Sequence, residues 1–425
     1  MLDIKLIRKD PHMVKGRLAV LGFESLSESI DNIVHLDKKR RVCLNEVNDL
    51  KSERNKVSKE IGELKQKGSD VAGMVADMRD VGQKISKIDA EVSEIEIQIR
   101  DLMLLVPNLP LEEVPEGDAE CNKVVRVIGS LPDFNFQPKP HWDLGENLNI
   151  LDFPRGTKVS GSGFPVLKGI GAKLQRCLID YMLDIHTGEN GYTEVRVPYL
   201  VTSEALTGTG QLPKFADESY MVERDDLWLI PTAEVPVTNL HRNELIPVQS
   251  LPFRYVAYSP CFRREAGAAG ADTRGLLRVH QFDKVELVRY DNPSRSREAL
   301  EEITAEAESI LQRLGLHYRV VILSTGDLGF SAAMTYDIEV WAPGVAQWLE
   351  VSSCSTFTDY QARRANIRYR PDSEEKPEFV HTLNGSALAL PRLIVAILET
   401  YQQADGSVLI PEDLQERLGF SAIEI

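Results

Sequence analysis

The chain has 425 residues, of which 43% are hydrophobic, so it is long enough for two or three globular domains and is not disordered or fibrous. Its formal net charge of −16 excludes indiscriminate binding to nucleic acids, because polyanions repel one another. One module of such a chain can still carry a local basic surface.

Cysteine usage and hydropathy indicate the compartment. The five cysteines are widely separated and form no Cys-x-x-Cys pair, which argues for a reducing environment and against a structural zinc site. The first residues lack the apolar stretch of a signal peptide. The longest nearly apolar run, 387–398, is too short to span a membrane. We therefore expect a soluble, cytoplasmic protein without a membrane partner.

Two long helices with a coiled-coil pattern are predicted between residues 36 and 105. Seam positions recur at alternating spacings of four and three residues in both segments. The turn residues at 68–70 separate the segments, so the helices should run antiparallel. The seam positions are Leu36, Arg40, Cys43, Val47, Leu50, Arg54, Val57, Ile61 and Leu64 in the first helix, and Met74, Met78, Val81, Ile85, Ile88, Val92, Ile95, Ile99 and Leu102 in the second.

The two helices differ in charge. The first segment, 36–67, has ten basic and six acidic residues, whereas 70–105 has four basic and eight acidic residues. Two interpretations remain open at this point. The charges can form ion pairs between the helices and a solvated surface, or the first helix can provide an electrostatic footprint for RNA.

Prolines concentrated between residues 107 and 140 mark a boundary. We divide the chain into an N-terminal domain (1–106), a proline-rich linker (107–140) and a larger domain (141–425). In the larger domain, strands follow one another through short loops, which favours an α+β fold with a mainly antiparallel sheet flanked by helices. The predicted elements are a helix over 169–187 and strands over 192–197, 227–230, 254–258, 276–288, 319–323, 336–341 and 348–352.

The common nucleotide and hydrolase motifs are absent from the sequence. It contains no Walker phosphate loop, no dinucleotide glycine motif after a strand, no His-Glu-x-x-His and no nucleophile elbow. If the larger domain binds a nucleotide, it must therefore do so without a glycine cradle.

The segment 262–286, FRREAGAAGADTRGLLRVHQFDKVE, is the most informative part of the chain. It is typical of a strand, a glycine-rich loop and a second strand. Alternation in the second strand would place a set of polar and aromatic side chains on one face, where the aromatic ring can stack a base and arginines can meet phosphates. An amphipathic edge hairpin with a solvated face is an equally good interpretation. The set comprises Arg278, His280, Phe282, Lys284 and Glu286.

Two further stretches favour a polar site. Ile230–Val237, IPTAEVPV, places Thr232 and Glu234 between two prolines, and 350–353, Glu-Val-Ser-Ser, places a carboxylate and hydroxyls at a predicted strand end. Such oxygens suit Mg²⁺, which prefers hard ligands and substrate phosphates. Taken singly, each stretch is better explained as a capped turn or a strand terminus.

Together these segments resemble the class II aminoacyl-tRNA synthetases, and specifically their bacterial-type seryl subgroup. Motif 1 of that class resembles 169–198, motif 2 resembles 262–286, and motif 3 resembles 384–399 with Asn-Gly-Ser at its start. The seryl subgroup is indicated by IPTAE, by PHWDLGE at 140–146, by TRGLLRVHQFDKVE and by the N-terminal hairpin. The resemblance runs from Met1 to the last predicted helix.

The resemblance implies a role for individual residues. Arg263 and Arg392 would be the catalytic cations, and Phe282 and Arg392 would enclose the adenine ring. Glu350 and Ser353 would hold Mg²⁺. The implied ATP-binding residues are Arg263, Arg264, Glu265, Val279, Phe282, Glu350, Val351, Ser352, Ser353 and Arg392. The implied serine-binding residues are Thr232, Ala233, Glu234, Glu286, Ser386 and, with less support, Thr382.

The resemblance also implies an activity and partners. A member of this family activates L-serine with ATP and transfers it to tRNA(Ser), and to tRNA(Sec) where that tRNA exists. It acts as a homodimer, uses Mg²⁺ and needs no zinc, and its hairpin binds the tRNA, which favours the RNA footprint. Two alternatives remain: a synthetase for another small amino acid, and a non-catalytic tRNA-binding scaffold.

Three positions depart from the family pattern. Ala387 replaces a glycine and fits only if its φ is not positive. Pro391 lacks a backbone donor, which is tolerable only in the first turn of a helix. Ala271 stands where a basic residue is common, while Arg264 adds a cation, so contacts with the tRNA acceptor stem are in question.

Overall fold

A computed structural model describes residues 1–265, 274–372 and 374–424. The chain divides into two compact units, one comprising Leu2–Pro107 and the other comprising Asn108–Ile425 together with Met1. Each unit has its own hydrophobic interior, and the two are described separately.

The smaller unit is helical. Two short helices precede two long ones, and the long pair forms the hairpin that the sequence predicts. The first long helix begins nine residues earlier than predicted, at Ser27, and Gly68 reverses the chain with a φ of +75°. The helices are α1 (Ile4–Lys9), α2 (Pro11–Val20), α3 (Ser27–Gln66) and α4 (Ala72–Leu104).

The seam of the hairpin is best buried at the end away from the turn. Val47 of α3 and Ile95 of α4 are buried, whereas seam residues near the turn, such as Val57 and Met78, are only half-buried. Two helices in isolation shield only one stripe of each other, so the outer faces are left to solvent or a partner.

Ion pairs link the two long helices. Lys39 contacts Glu91 at 2.8 Å, and Lys51 contacts Asp89 at 3.1 Å. The basic charge of α3 is therefore partly neutralised by α4, as one of the two interpretations predicted. Three exposed lysines nearer the turn show no ion pair within the described residues, and they keep the second interpretation open; they are Lys56, Lys59 and Lys65.

The larger unit is α+β, as predicted. Its helices are α5 (His141–Asn147), α6 (Phe153–Ser160), α7 (Ile170–Gly188), α8 (Ser203–Thr209), α9 (Glu234–Thr238), α10 (Ser296–Arg313), α11 (Tyr360–Ala365), α12 (Leu390–Thr400) and α13 (Glu412–Leu418).

An eight-stranded sheet organises this unit, in the order β1-β11-β12-β13-β16-β10-β9-β4. Its pairs are antiparallel except that β4 runs parallel to β9. The strands of this sheet are β1 (Lys123–Ile128), β4 (Thr193–Glu194), β9 (Phe253–Phe262), β10 (Gln281–Asp291), β11 (Tyr318–Ile322), β12 (Met334–Ala342), β13 (Gln347–Thr358) and β16 (His381–Ala389).

Small sheets surround it. They are formed by β2 (Leu151–Asp152) and β3 (Val166–Leu167); by β5 (Leu200–Thr202), β6 (Met221–Val222) and β7 (Leu227–Leu229); by β8 (Leu245–Pro247), β14 (Arg368–Arg370) and β15 (Glu378–Phe379); and by β17 (Val408–Leu409) and β18 (Ala422–Ile423).

Helix α10 packs on one face of the central strands. At Gly385 of β16, a Cβ atom would lie 3.0 Å from Cys354 Sγ and 3.1 Å from Ile303 of α10, so glycine allows the helix to approach the strand closely. The neighbours of Gly385 in the strand, Asn384 and Ser386, therefore point to the opposite face. That face carries the polar cavity described below.

Several strand predictions were wrong in their limits. The segment 276–280 was predicted as strand, but pairing begins at Gln281 opposite Phe262, so Arg278 and His280 do not belong to the strand face that carries Phe282, Lys284 and Glu286. Of the predicted strand 192–197, only Thr193–Glu194 pairs with β9.

The strand predicted to end at residue 352 continues to Thr358, so residues 350–353 lie inside β13 and not at a strand end. No helix within the described residues is both long and apolar enough to cross a membrane.

Candidate functional site

A cavity of about 530 Å³ opens on the face of the central sheet opposite to α10. Side chains from β10, β13 and β16 line it, together with the start of α12 and the segments that contain Thr232 and Arg263. Because the strands are hydrogen-bonded to one another, they hold these polar groups on a rigid support.

Two arginines line the cavity, and contacts with neighbouring residues orient their guanidinium groups. The guanidinium carbon of Arg263 is 5.2 Å from the centroid of the Phe282 ring. Arg392 donates from Nη1 to the carbonyl oxygen of Glu350 at 2.7 Å, and from Nε to the carbonyl oxygen of Leu277 at 3.2 Å. This region therefore combines positive charge with an aromatic face, as a nucleotide requires.

Strand β13 contains an extra residue at the cavity. Glu339 lies opposite Glu350 and Ile338 lies opposite Ser352, so Val351 has no partner in β12. This β-bulge shifts the alternation of side chains by one position. Glu350 and Ser353 consequently line the same cavity although they are three positions apart, a spacing that would place them on opposite faces of a regular strand.

The carboxylate of Glu350 and the hydroxyl of Ser353 suit a hard divalent cation such as Mg²⁺. The neighbouring Asp337 lies opposite Ser353 in β12, and its Oδ1 is buried without a hydrogen-bond partner within the described residues. Burial and the carboxylate of Glu350 raise the pKa of Asp337 well above its usual range. The carboxylate of Glu350 is exposed and lies 3.5 Å from Arg392 Nη1, so the oxygen of Asp337 is the buried negative group that a cation bound beside it would neutralise.

The other end of the cavity contains two buried carboxylates joined by one amide. Asn384 donates from Nδ2 to Glu234 Oε2 at 3.1 Å and to Glu286 Oε1 at 3.0 Å. Lys284 Nζ lies 2.5 Å from Glu286 Oε2, and both side chains are almost completely buried. Glu286 is therefore neutralised by a fixed cation, whereas Glu234 is not paired with a cation at this distance.

Glu234 is the less stabilised of the two carboxylates. Burial, and then the charge of Glu286, raise the pKa of Glu234 to about 7, although a hydrogen bond from Gln361 opposes the shift. Gln361 Nε2 donates to Glu234 Oε1 at 2.6 Å, and Gln361 accepts from Thr382 Oγ1 at 2.7 Å. A small cationic ligand such as an ammonium group would relieve this unpaired charge.

Two family models match the chain. "Seryl-tRNA synthetase N-terminal domain" matches residues 1–110, and "tRNA synthetase class II core domain (G, H, P, S and T)" matches residues 219–401. Serine–tRNA ligases from Geobacillus kaustophilus and Heliobacterium modesticaldum are 54% and 55% identical to the chain, over 99% and 100% of both sequences. The chain belongs to the seryl-tRNA synthetase family.

Solved structures agree with this membership. Seryl-tRNA synthetase from Pyrococcus horikoshii, crystallised with ATP, is 42% identical with a TM-score of 0.93, and 100% of this chain and 99% of that chain are covered. The cytoplasmic serine–tRNA ligase from Naegleria fowleri, crystallised with AMP, is 31% identical with a TM-score of 0.88, over 100% and 99% of the two chains. The resemblance inferred from the sequence motifs is confirmed, and so is the class II fold.

The structure brings most of the predicted site residues of this seryl-tRNA synthetase family member to one cavity. The residues that line it are Thr232, Glu234, Arg263, Glu265, Val279, Phe282, Glu350, Val351, Ser353, Ser386 and Arg392. Glu286 lies just behind this lining and contacts it through Asn384, which itself faces the cavity.

Four predicted residues are placed elsewhere. Ala233 is fully buried in an apolar cluster, and Arg264 is exposed away from the lining. Ser352 donates to the carbonyl oxygen of Ser386, and Thr382 donates to Gln361, so both hydroxyls are used inside the protein. Arg278, by contrast, lines the cavity and pairs with Glu265 at 2.7 Å.

Sequence reasoning gave no role to Asn384, Lys284 or Gln361. Asn384 was noted only as part of the Asn-Gly-Ser motif, and Lys284 only as a member of a polar face. The sequence did contain a signal for both residues. Lys284 is two positions from Glu286, and Asn384 is two positions from Ser386, so strand alternation places each on the same face as a predicted site residue. No local signal marks Gln361, because it reaches Glu234 from a helix 127 positions later in the chain.

The departures in motif 3 are accommodated by the seryl-tRNA synthetase fold. Ala387 is not among the residues with positive φ, and Pro391 occupies the first turn of α12, where its missing N–H has no intrahelical partner to lose. Ala271 lies outside the described residues.

Proposed function

We propose that the chain is an ATP-dependent serine–tRNA ligase whose adenylation site is the cavity between Arg263 and Glu234. The observation that supports it best is the arrangement of one cavity with two arginines and an aromatic ring at one end and two carboxylates bridged by Asn384 at the other. ATP and a small amino acid have the charges and shapes that these ends require.

At the carboxylate end, Glu234 would accept the ammonium group of serine. The hydroxyl of the substrate would lie near Glu286 and Ser386. Because these polar groups are buried, an amino acid that lacks the hydroxyl would leave one of them unpaired, which disfavours alanine and glycine.

The first step needs no nucleophile from the protein. An oxygen of the serine carboxylate attacks the α-phosphorus of ATP, the bond between that phosphorus and the bridging oxygen breaks, and pyrophosphate leaves with the electron pair. Arg263 would bind the α-phosphate, and Phe282 with Arg392 would enclose the adenine. Catalysis then consists of positioning and charge stabilisation.

A divalent ion would supply additional neutralisation of phosphate charge, and Glu350 and Ser353 would hold it. In the second step the 3′ hydroxyl oxygen of the terminal tRNA adenosine attacks the activated carbonyl carbon, and AMP leaves. The hairpin formed by α3 and α4 would bind the tRNA, and it would recognise the shape and the sugar–phosphate backbone of the RNA more than the edges of its bases.

We also propose that the enzyme is a homodimer, since motif 1 builds the dimer interface in this family. Its cognate tRNA would be tRNA(Ser), and tRNA(Sec) would be a second substrate in cells that have it. The cytoplasm is the proposed location.

The test is amino-acid-dependent exchange of pyrophosphate into ATP without tRNA, measured with serine, threonine, alanine, glycine and cysteine. Exchange with serine alone would support both the adenylate chemistry and the amino acid specificity. Exchange with threonine in preference would indicate a synthetase for another small amino acid. No exchange by folded protein would contradict the catalytic proposal and favour a tRNA-binding scaffold.

A further inference from the structure

A histidine and a glutamate form a fully buried pair beside the adenylation cavity, and neither lines it. His141 Nδ1 is 2.8 Å from Glu399 Oε1, and both side chains have 0% exposure. The backbone N–H of His141 donates to the same carboxylate oxygen at 2.9 Å. Removing both groups from water costs free energy, and apolar side chains of the same volume would stabilise the fold equally well. The stability of the fold alone therefore does not explain why this pair is present.

The second ring nitrogen of His141 fixes its tautomer. The backbone N–H of Leu276 donates to His141 Nε2 at 3.0 Å, so Nε2 carries no proton and Nδ1 donates to Glu399. A Cβ atom at Gly275 would lie 2.2 Å from Nε2, and this residue has a φ of +70°. The imidazole ring of His141 therefore packs against the backbone of Gly275, immediately before the segment 276–279.

The other oxygen of Glu399 holds a second segment. Glu399 Oε2 accepts from the N–H groups of Gly344 at 2.8 Å and Val345 at 3.1 Å. These residues form the turn between β12 and β13, and β13 carries Glu350. One oxygen of this carboxylate thus holds His141, and the other holds the turn that leads into β13.

Helix α12 connects the pair to a cavity arginine. Arg392 and Glu399 are seven residues apart, about two turns, so they project from the same side of the helix. Arg392 Nε donates to the carbonyl oxygen of Leu277, the residue after the one that His141 holds. Helix α12 therefore holds the segment 276–279 at two points. Arg392 contacts it directly, and Glu399 contacts it through His141.

We propose that His141 and Glu399 are positioning residues for the nucleotide end of the cavity, holding 276–279 and the β12–β13 turn in the geometry that ATP requires. The inference rests on the proposed use of this cavity for ATP. Neither residue reaches the reacting atoms, because both are closed off from the cavity lining. Their effect passes through Leu277, Val279 and Arg392.

The test compares the dissociation constant for ATP, measured by calorimetry on the full chain, with the KM for serine in pyrophosphate exchange. In His141→Asn the amide can still donate to Glu399, but no acceptor reaches Leu276 N. We expect the dissociation constant for ATP to rise about tenfold, the value of one hydrogen bond, and the KM for serine to stay within about twofold.

Two further variants separate positioning from folding. His141→Gln places an amide oxygen within reach of Leu276 N and should recover part of the ATP affinity. His317→Leu is the control, because it removes the hydrogen bond between the ring Nδ1 and the carbonyl oxygen of Ile128, outside the cavity. It should leave ATP binding unchanged.

Glu399→Gln should weaken ATP binding as His141→Asn does. Unchanged ATP binding in both variants, or an equal change in the constants for ATP and serine, would overturn the inference. If the wild-type protein binds ATP but gives no exchange with serine, the proposed function fails, and the ATP dissociation constants still decide the positioning role.

Discussion

Gln361 donates a hydrogen bond to Glu234 across 2.6 Å, and both side chains are buried at the carboxylate end of the cavity. Gln361 is itself oriented by Thr382, so the amide presents its donor and not its oxygen to the carboxylate. This contact favours the charged form of Glu234 most strongly, ahead of the charges of Lys284 and Arg263, and it opposes the effects of burial and of Glu286.

Removal of that donor should impair serine binding selectively. In Gln361→Leu the pKa of Glu234 should rise further above 7, so less of the carboxylate is charged at neutral pH. We expect the KM for serine at pH 7 to rise about tenfold, with the KM for ATP unchanged. The measurement is pyrophosphate exchange with each substrate varied in turn.

Gln415→Leu provides the matched control, since Gln415 donates to the carbonyl oxygen of Ile410 outside the cavity. An equal rise in both KM values for Gln361→Leu would show that the site as a whole has been damaged, and would contradict the role given to the contact.

The pH dependence of serine activation should report Glu234 directly. Its pKa of about 7 lies above the usual value for glutamate, so the free enzyme loses the carboxylate as the pH falls through 7. We expect kcat/KM for serine to be level above pH 8 and to fall about tenfold per unit below pH 6. A profile that is flat between pH 6 and 8 would contradict the assignment.

The two cavity arginines should be essential for adenylation and not for tRNA binding. Arg263→Ala combined with Arg392→Ala removes the cations that would meet the phosphates, and we expect exchange to fall by at least about a thousandfold. Binding of tRNA, measured by filter retention, should remain. Surviving exchange would refute the site assignment.

Loss of the proposed cation ligand should appear as a changed metal requirement. We expect Glu350→Gln to raise about tenfold the Mg²⁺ concentration for half-maximal exchange, and to weaken Mn²⁺ binding measured by electron paramagnetic resonance. Glu339→Gln is the control, because Glu339 lies opposite Glu350 in the pairing of β12 with β13 and also contacts an arginine, Arg319, but does not line the cavity. Equal metal requirements in the two variants would exclude Glu350 as a ligand.

Charge reversal on the hairpin should separate tRNA binding from adenylation. We expect Lys56→Glu, Lys59→Glu and Lys65→Glu together to weaken tRNA binding more than about tenfold, to reduce its salt dependence, and to leave exchange unchanged. The matched triple on α4 is Arg79→Glu, Lys84→Glu and Lys87→Glu, all at exposed positions. Equal losses in the two triples would show that α3 is not the preferred face.

The hairpin and the α+β core were predictable because they depend on repeated local patterns. The seam of α4 is apolar at every predicted position, and a repeat of that length specifies a coiled coil without knowledge of the rest of the chain. Most residues that line the cavity were also predictable, because residues such as Arg263 and Glu350 belong to short sequence motifs that can be recognised without knowledge of the fold.

The remainder depends on contacts between distant segments. Gln361 is identified only when α11 is placed beside α9, and His141 only when α5 meets α12. The strand limits failed for the same reason: residues 276–280 have strand-like composition, but Leu276 N is taken by the His141 ring and not by a neighbouring strand. Propensity does not report such competition.

The unpaired Val351 has a consequence for what the chain can tolerate at this point. Because the bulge absorbs one extra residue, deletion of Val351 would leave a regular strand in which Glu339 still lies opposite Glu350 and Ile338 still lies opposite Ser352. Glu350 and Ser353 would then be two positions apart and would still share one face of the strand. Val351 is therefore a position of β13 at which the loss of one residue should leave both proposed cation ligands on the cavity face.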